Sequence, residues 1–164
     1  MSELQEFKRL YDINAPLEVT LPGIARSGHY SSMGLRDLSQ QLHHFYKTQR
    51  LVKVSRQLYT ELPEIALRPA DAYQEMVRGN VESVAIEQLA GRISAVMLVP
   101  YPPGIPVIMP GERFPADSTA IADYLQIASA LDRQFPGFES DIHGLRQLHS
   151  TDGLPAFHVD CLRI

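Results

Sequence analysis

At 164 residues the chain is long enough for one domain with a buried core, and 45% hydrophobic against 21% charged residues describes a folded polypeptide. A formal charge of −4 with 15 Lys+Arg excludes the basic surface that nucleic acid or an anionic membrane would require, and no apolar run reaches the roughly 18 residues of a membrane span. The single Cys161 excludes an internal disulfide framework and, with a charged N-terminus unlike a signal peptide, points to a reducing, cytoplasmic compartment.

Ser2 is a suitable N-cap for a helix through about Asn14, with Leu4, Phe7, Leu10 and Tyr11 on one face. Pro16, Pro22, Gly23 and Gly28 then break the pattern, so residues 15–32 read as an extended connection and the main domain as residues 33–164. Helical spacing returns with Leu35, Leu38, Leu42 and Phe45. It continues after a break near Arg50 with Leu51, Val54, Leu58 and Leu62. EIALRP (64–69) suggests a short strand, and Pro69 opens a helix carrying Tyr73, Met76 and Val77 that stops at Gly79. VESVAI alternates as a strand, EQLAGR makes a helical turn, and ISAVML has the composition of a buried strand. After a proline-rich reversal, VIM is another short strand. Ile121, Leu125, Ala128 and Leu131 define a helix ending near Pro136–Gly137, and FHVDCLRI closes the chain as a strand. Helices first, then mixed short strands and helices without βαβ alternation, make the fold class α+β.

The sequence holds no Gly-rich phosphate loop, no G-x-S-x-G elbow and no H-E-x-x-H. His43 and His44 are adjacent, so on a helix they diverge and make a poor metal pair. Lys8, Lys47 and Lys53 all fall on exposed helical faces, whereas a Schiff-base lysine needs a desolvated or charge-tuned pocket. Glu139, Asp141 and His143 alternate, so an extended backbone would aim all three to one side. That arrangement would suit a metal-dependent hydrolase, but the flanking Gly137 and Gly144 favour a structural role in a turn. No metal site is therefore assigned. Six histidines also carry the formal charge from −4 to +2 when all are protonated, which removes repulsion between copies in mild acid.

The densest feature is VMLVPYPPGIPVIMPGERF (96–114), with five prolines between Pro100 and Pro110. Embedded in strand-like apolar sequence, it reads as a rigid reversal that fixes Tyr101 in one place, its phenol free to meet a ligand or a neighbouring domain.

GRISAVMLVPYPPGIPVIMPGE (91–112) and FPGFESDIHG (135–144) resemble two hallmark segments in the C-terminal domain of bacterial ornithine/lysine/arginine decarboxylases, and FKRLYDIN (7–14) and RPADAYQEMVRG (68–79) follow the same family in order. The resemblance implies a piece of a large pyridoxal-phosphate-dependent enzyme whose cofactor lysine lies in another domain, within a Ser-x-His-Lys context that this chain lacks. It implies a parent reaction of decarboxylating lysine, with arginine or ornithine as the other substrates, in a homo-oligomer built from dimers and extending to decamers. By the same resemblance, Tyr101 stands near the active-site region, on a rigid wall segment (100–110) of the substrate entrance. Glu112 would there attract a cationic substrate side chain, or else form a salt bridge or cap the following helix. Some family members bind the alarmone guanosine tetraphosphate through arginines in this region. The matching positions here are Pro16 and Gly34, which cannot pair with phosphate. A free-standing regulatory module derived from the domain is the alternative reading.

Overall fold

The computed structural model describes residues 2–25, 28–117, 120–149 and 155–163. Its first element is set by its cap: the Ser2 hydroxyl accepts from Gln5 N and the Gln5 side chain accepts from Ser2 N, a reciprocal box that starts α1 (Glu3–Asp12). The expected extended connection is instead helical, with one-turn helices α2 (Leu17–Thr20) and α3 (Pro22–Ala25). Pro16 and Pro22 flank these turns at their starts, where a missing N–H costs nothing, so they begin helices rather than prevent them. α4 (Leu35–Thr48) and α5 (Leu51–Gln57) are separated at Arg50, which takes the left-handed conformation at φ 55°. α5 stops before Leu62, which is 86% exposed and does not extend the buried stripe.

Leu17, Tyr30, Leu35, Leu38, Phe45 and Val54 form a helical core with Ile127 and Phe135. Phe45 and Phe135 meet edge to face at 5.6 Å, and the buried Tyr30 donates from its hydroxyl to Pro136 O at 2.8 Å. The segment before residue 33 thus shares one core with α4 and α5.

The β1 strand is only Glu64–Ile65, and α6 (Pro69–Val77) ends at Gly79 as its sequence predicts. The small Ala72 fills the contact of α6 with Ile93, Ala95 and Leu162, while Tyr73 and Val77 face outward. β2 (Val81–Ala85) leads into a 3-10 turn at Ile86–Gln88. ISAVML is buried but irregular, because the Ser94 hydroxyl donates to Val96 O and accepts from Val96 N. Regular pairing begins later, in β3 (Val99–Tyr101), and VIM contributes one isolated bridge, Leu98 to Ile108, rather than a strand. β4 (Glu112–Arg113) pairs with β1. α7 (Ala120–Gln134), β5 (Asp141–His143), β6 (Leu145–His149) and β7 (Pro155–Leu162) complete the fold.

β7 lies between β2 and β6 in an antiparallel sheet, with Val84 and Leu145 both opposite Val159. This inner face packs Val84, Phe157, Val159 and Cys161 against Ile121, Leu125 and Ala128 of α7. Since Ile127 of the same helix enters the helical core, α7 joins the two halves. The architecture is α+β. Among the described residues no helix is long and apolar enough to cross a membrane.

Candidate functional site

The proline-rich loop emerges from a two-stranded ladder. β3 pairs antiparallel with β5, setting Val99 opposite His143, Pro100 opposite Ile142 and Tyr101 opposite Asp141. A strand in a two-stranded ladder is paired along one edge only, so Pro100 fits without a donor. Pro100 O accepts from Gly104 N at 2.8 Å, which closes the turn, and both Tyr101–Pro102 and Pro102–Pro103 are cis. Gly104 sits at φ 78° under the Tyr101 ring, where an added Cβ would stand 3.0 Å from the ring. The returning chain is fastened by Val107 N to Leu98 O at 2.9 Å and by Gly111 N to Ser94 O at 2.8 Å. Val107 and Ile108 are buried below it.

The loop is therefore fixed by its backbone and its two apolar anchors. Tyr101 is 53% exposed, and its hydroxyl has no hydrogen-bond partner among the described residues. Glu112 is already engaged: one carboxylate oxygen accepts from Met109 N at 2.7 Å. It closes the 109–112 turn and does not cap α7, whose first N–H, that of Ala120, donates to Glu61 at 3.2 Å. Glu112 lines a pocket of about 300 Å³ with Tyr59, Leu62, Ile105 and Met109, and Tyr101 is not among its walls.

The structure separates the acid/histidine trio. Asp141 and His143 lie on one exposed side of β5, with Ile142 buried on the other. Glu139 precedes the strand, in the turn after α7, and accepts from Gly137 N at 2.8 Å. Among the described residues, no group of three His, Cys, Asp or Glu side chains is placed to hold a metal ion.

Sequence reading missed Asp132. It is 5% exposed and accepts from Ser140 N at 2.8 Å, fixing the turn that carries the second hallmark segment. Burial raises its pKa, and the Ser140 N–H opposes the shift. The signal was the spacing: Ile121, Leu125, Ala128 and Asp132 share the buried face of α7.

Lys8, Lys47 and Lys53 are exposed, and Lys8 is paired with Asp12. None has the desolvated surroundings that an internal-aldimine lysine requires, so the residues present do not fit covalent attachment of pyridoxal phosphate. Cys161 is buried with its thiol pushed up to about 11, which leaves it an inert core residue.

Residues 52–163 match the family model described as Orn/Lys/Arg decarboxylase, C-terminal domain. The chain is 50% identical to lysine decarboxylase LdcA of Pseudomonas aeruginosa over 99% of its own length and 22% of that protein's. It is 39% identical to the constitutive lysine decarboxylase of Escherichia coli over 88% of its length and 20% of that protein's. The solved structure of lysine decarboxylase A from Pseudomonas aeruginosa superimposes with a TM-score of 0.90 at 51% identity, covering 98% of this chain and 22% of that one. The chain thus spans about a fifth of the length of these relatives. With both hallmark segments inside the matched region, the chain belongs to the C-terminal domain family of the ornithine/lysine/arginine decarboxylases.

Proposed function

We propose that this chain serves as the C-terminal domain of a basic amino-acid decarboxylase, lysine being the favoured substrate and arginine or ornithine the next. The observation that carries this is 50% identity to a lysine decarboxylase across 99% of the chain. The reaction removes the α-carboxylate and supplies a proton in its place. Pyridoxal phosphate provides the electron sink in such enzymes. Here it would be held by the rest of the decarboxylase chain, so the domain is not catalytic alone.

The domain's own contribution is a wall of the substrate entrance and a surface for the homo-oligomer, in the cytoplasm. A fixed loop with an exposed phenol, unbonded among the described residues, suits the first role, and we assign substrate contact to Tyr101. Glu112 has one oxygen committed to Met109 N, which leaves the other to attract a cationic side chain. Exposed Tyr59, Leu62, Ile105 and Met109 around the same pocket suit docking to another part of the enzyme.

Carbon dioxide release by the native polypeptide carrying this chain tests the reading. Turnover should be fastest with lysine, and a preference for arginine or ornithine would overturn the substrate order. The 164-residue chain incubated with pyridoxal phosphate should give no borohydride-fixed adduct. An adduct on Lys8, Lys47 or Lys53 would show that the cofactor is held here.

A further inference from the structure

A groove runs between α5 and α7. Its volume is about 520 Å³, within the range of small-molecule sites. Val54, Ile127 and Ala130 form an apolar floor, and polar side chains rise around it.

The two helices run antiparallel. Glu61, just beyond the end of α5, accepts from Ala120 N at the start of α7. The end of the groove nearest Arg50 is consequently the end nearest Arg133. Lys53 lies one turn along α5 from Arg50, so three cations gather at that end. Asp123 lies at the opposite end, about 15 Å away along α7 at 1.5 Å per residue. The third wall, from the 3-10 turn, brings the second carboxylate, Glu87.

Arg50, Lys53 and Arg133 make no ion pair among the described residues. Between them and Asp123 stands Ser129, one turn before Arg133 on the same face of α7. Ser129 is 3% exposed and lines the groove, yet it makes no hydrogen bond among the described residues, although helical serines readily bond to the preceding turn. Ser39 of α4 does so, donating to Leu35 O at 2.8 Å.

We propose that this groove binds a phosphate-bearing small molecule. Its phosphate would lie at the Arg50–Arg133 end, with Lys53 as a further charge and the Ser129 hydroxyl as a neutral donor. Arginine suits this task because its guanidinium offers parallel donors to two phosphate oxygens. Pro16 and Gly34 do not line the groove, and phosphate binding here is independent of which amino acid the enzyme decarboxylates.

The test is calorimetric titration of inorganic pyrophosphate into the native polypeptide carrying this chain, at fixed ionic strength. Saturable binding is expected, weakened at least tenfold in an Arg50→Gly/Arg133→Ala double variant. Glycine is the suitable replacement at position 50 because it adopts the positive φ there without strain. Ser129→Ala should weaken binding about three- to tenfold, the loss of one donor. Lys8→Ala, an exposed cation elsewhere, should leave it unchanged. No saturable binding, or an equal loss in Lys8→Ala, would overturn the proposal, and decarboxylation rates play no part in the readout.

Discussion

The two hallmark segments meet in one ladder, yet the balance of what holds them differs. The 99–112 loop is fastened through its backbone: Gly104 N to Pro100 O, Val107 N to Leu98 O and Gly111 N to Ser94 O. The 135–144 turn is fastened through side chains. Glu139 accepts from Gly137 N, Asp132 accepts from Ser140 N, and Tyr30 donates to Pro136 O. In the second segment Glu139 is occupied by structure while Asp141 and His143 stay exposed, and the first presents an exposed tyrosine whose hydroxyl is unbonded among the described residues.

The junction between the segments should be the most sensitive point. Gly144 takes φ 86°, and an added Cβ would run into Met97 O, a backbone atom that cannot swing aside. Gly144→Ala should cost about 3 kcal/mol through strain and displacement. Thermal unfolding should then show a midpoint roughly 6–12 °C lower for a chain of this size. A shift under about 2 °C would mean that the ladder moves freely, and the contrast between the segments would lose its anchor.

Asp132 tests the side-chain-fastened turn directly. Removing the acceptor with Asp132→Ala leaves the Ser140 N–H without its partner and should cost about 2 kcal/mol. Asp132→Asn keeps an oxygen for that N–H and should be far milder. The pH dependence separates the charge from the bond. Burial raises this carboxyl's pKa above its ordinary 3.8, so the folded state holds the proton more tightly than the unfolded one. Its contribution to stability is greatest at low pH and declines as pH rises from about 3.8 through the raised value. Asp132→Asn should remove that decline, and denaturant midpoints measured from about pH 3 to pH 7 would show it. An unchanged slope would assign the titration to another group.

Periodicity revealed much of this fold, and for physical reasons. Ser2 ahead of Leu4, Phe7 and Tyr11, Pro69 with Gly79, and the face Ile121–Leu125–Ala128 each combine a pattern with a terminus signal that tertiary contacts had no cause to override. β6 was illegible because LRQLH is an edge strand with Arg146, Gln147 and Leu148 exposed, so its two faces differ too little to alternate. ISAVML misled in the opposite direction, since burial produced its hydrophobicity while the Ser94 hydroxyl broke its regularity. The fixed loop carrying Tyr101 was legible, because its prolines announce a tight turn. The engagement of Glu112 depends on the local fold around Met109, which spacing alone does not encode.

On the loop side, Tyr101→Phe should leave the melting temperature nearly unchanged, because its hydroxyl bonds to nothing among the described residues. In the decarboxylase proposed to carry this chain it should lower kcat/KM about two- to tenfold, the loss of one polar contact of roughly 0.5–1.5 kcal/mol. Replacing Pro102-Pro103 with Ala-Ala should instead reduce turnover and stability together by freeing the loop. Full activity in Tyr101→Phe would refute a role for the hydroxyl. A large fall in its melting temperature would return the residue to the core.

The smallest effect belongs to His143. The sequence places it with Glu139 and Asp141 in one polar cluster, so its removal would be expected to weaken the turn. Its side chain is exposed instead, and no hydrogen bond or ion pair holds it among the described residues. What β5 contributes here is the backbone of residue 143 opposite Val99 and the buried side chain of Ile142, neither of which His143→Ala alters. The substitution should therefore change stability by no more than about 0.5 kcal/mol. It should also leave the melting temperature equally indifferent to zinc in both proteins, whereas Ile142→Ala should lower it clearly by emptying part of the core beneath the ladder. A zinc-dependent stabilisation present in the parent and lost in His143→Ala would reverse the assignment. It would show that the exposed side of β5, and not the turn behind it, is where the second segment meets a ligand.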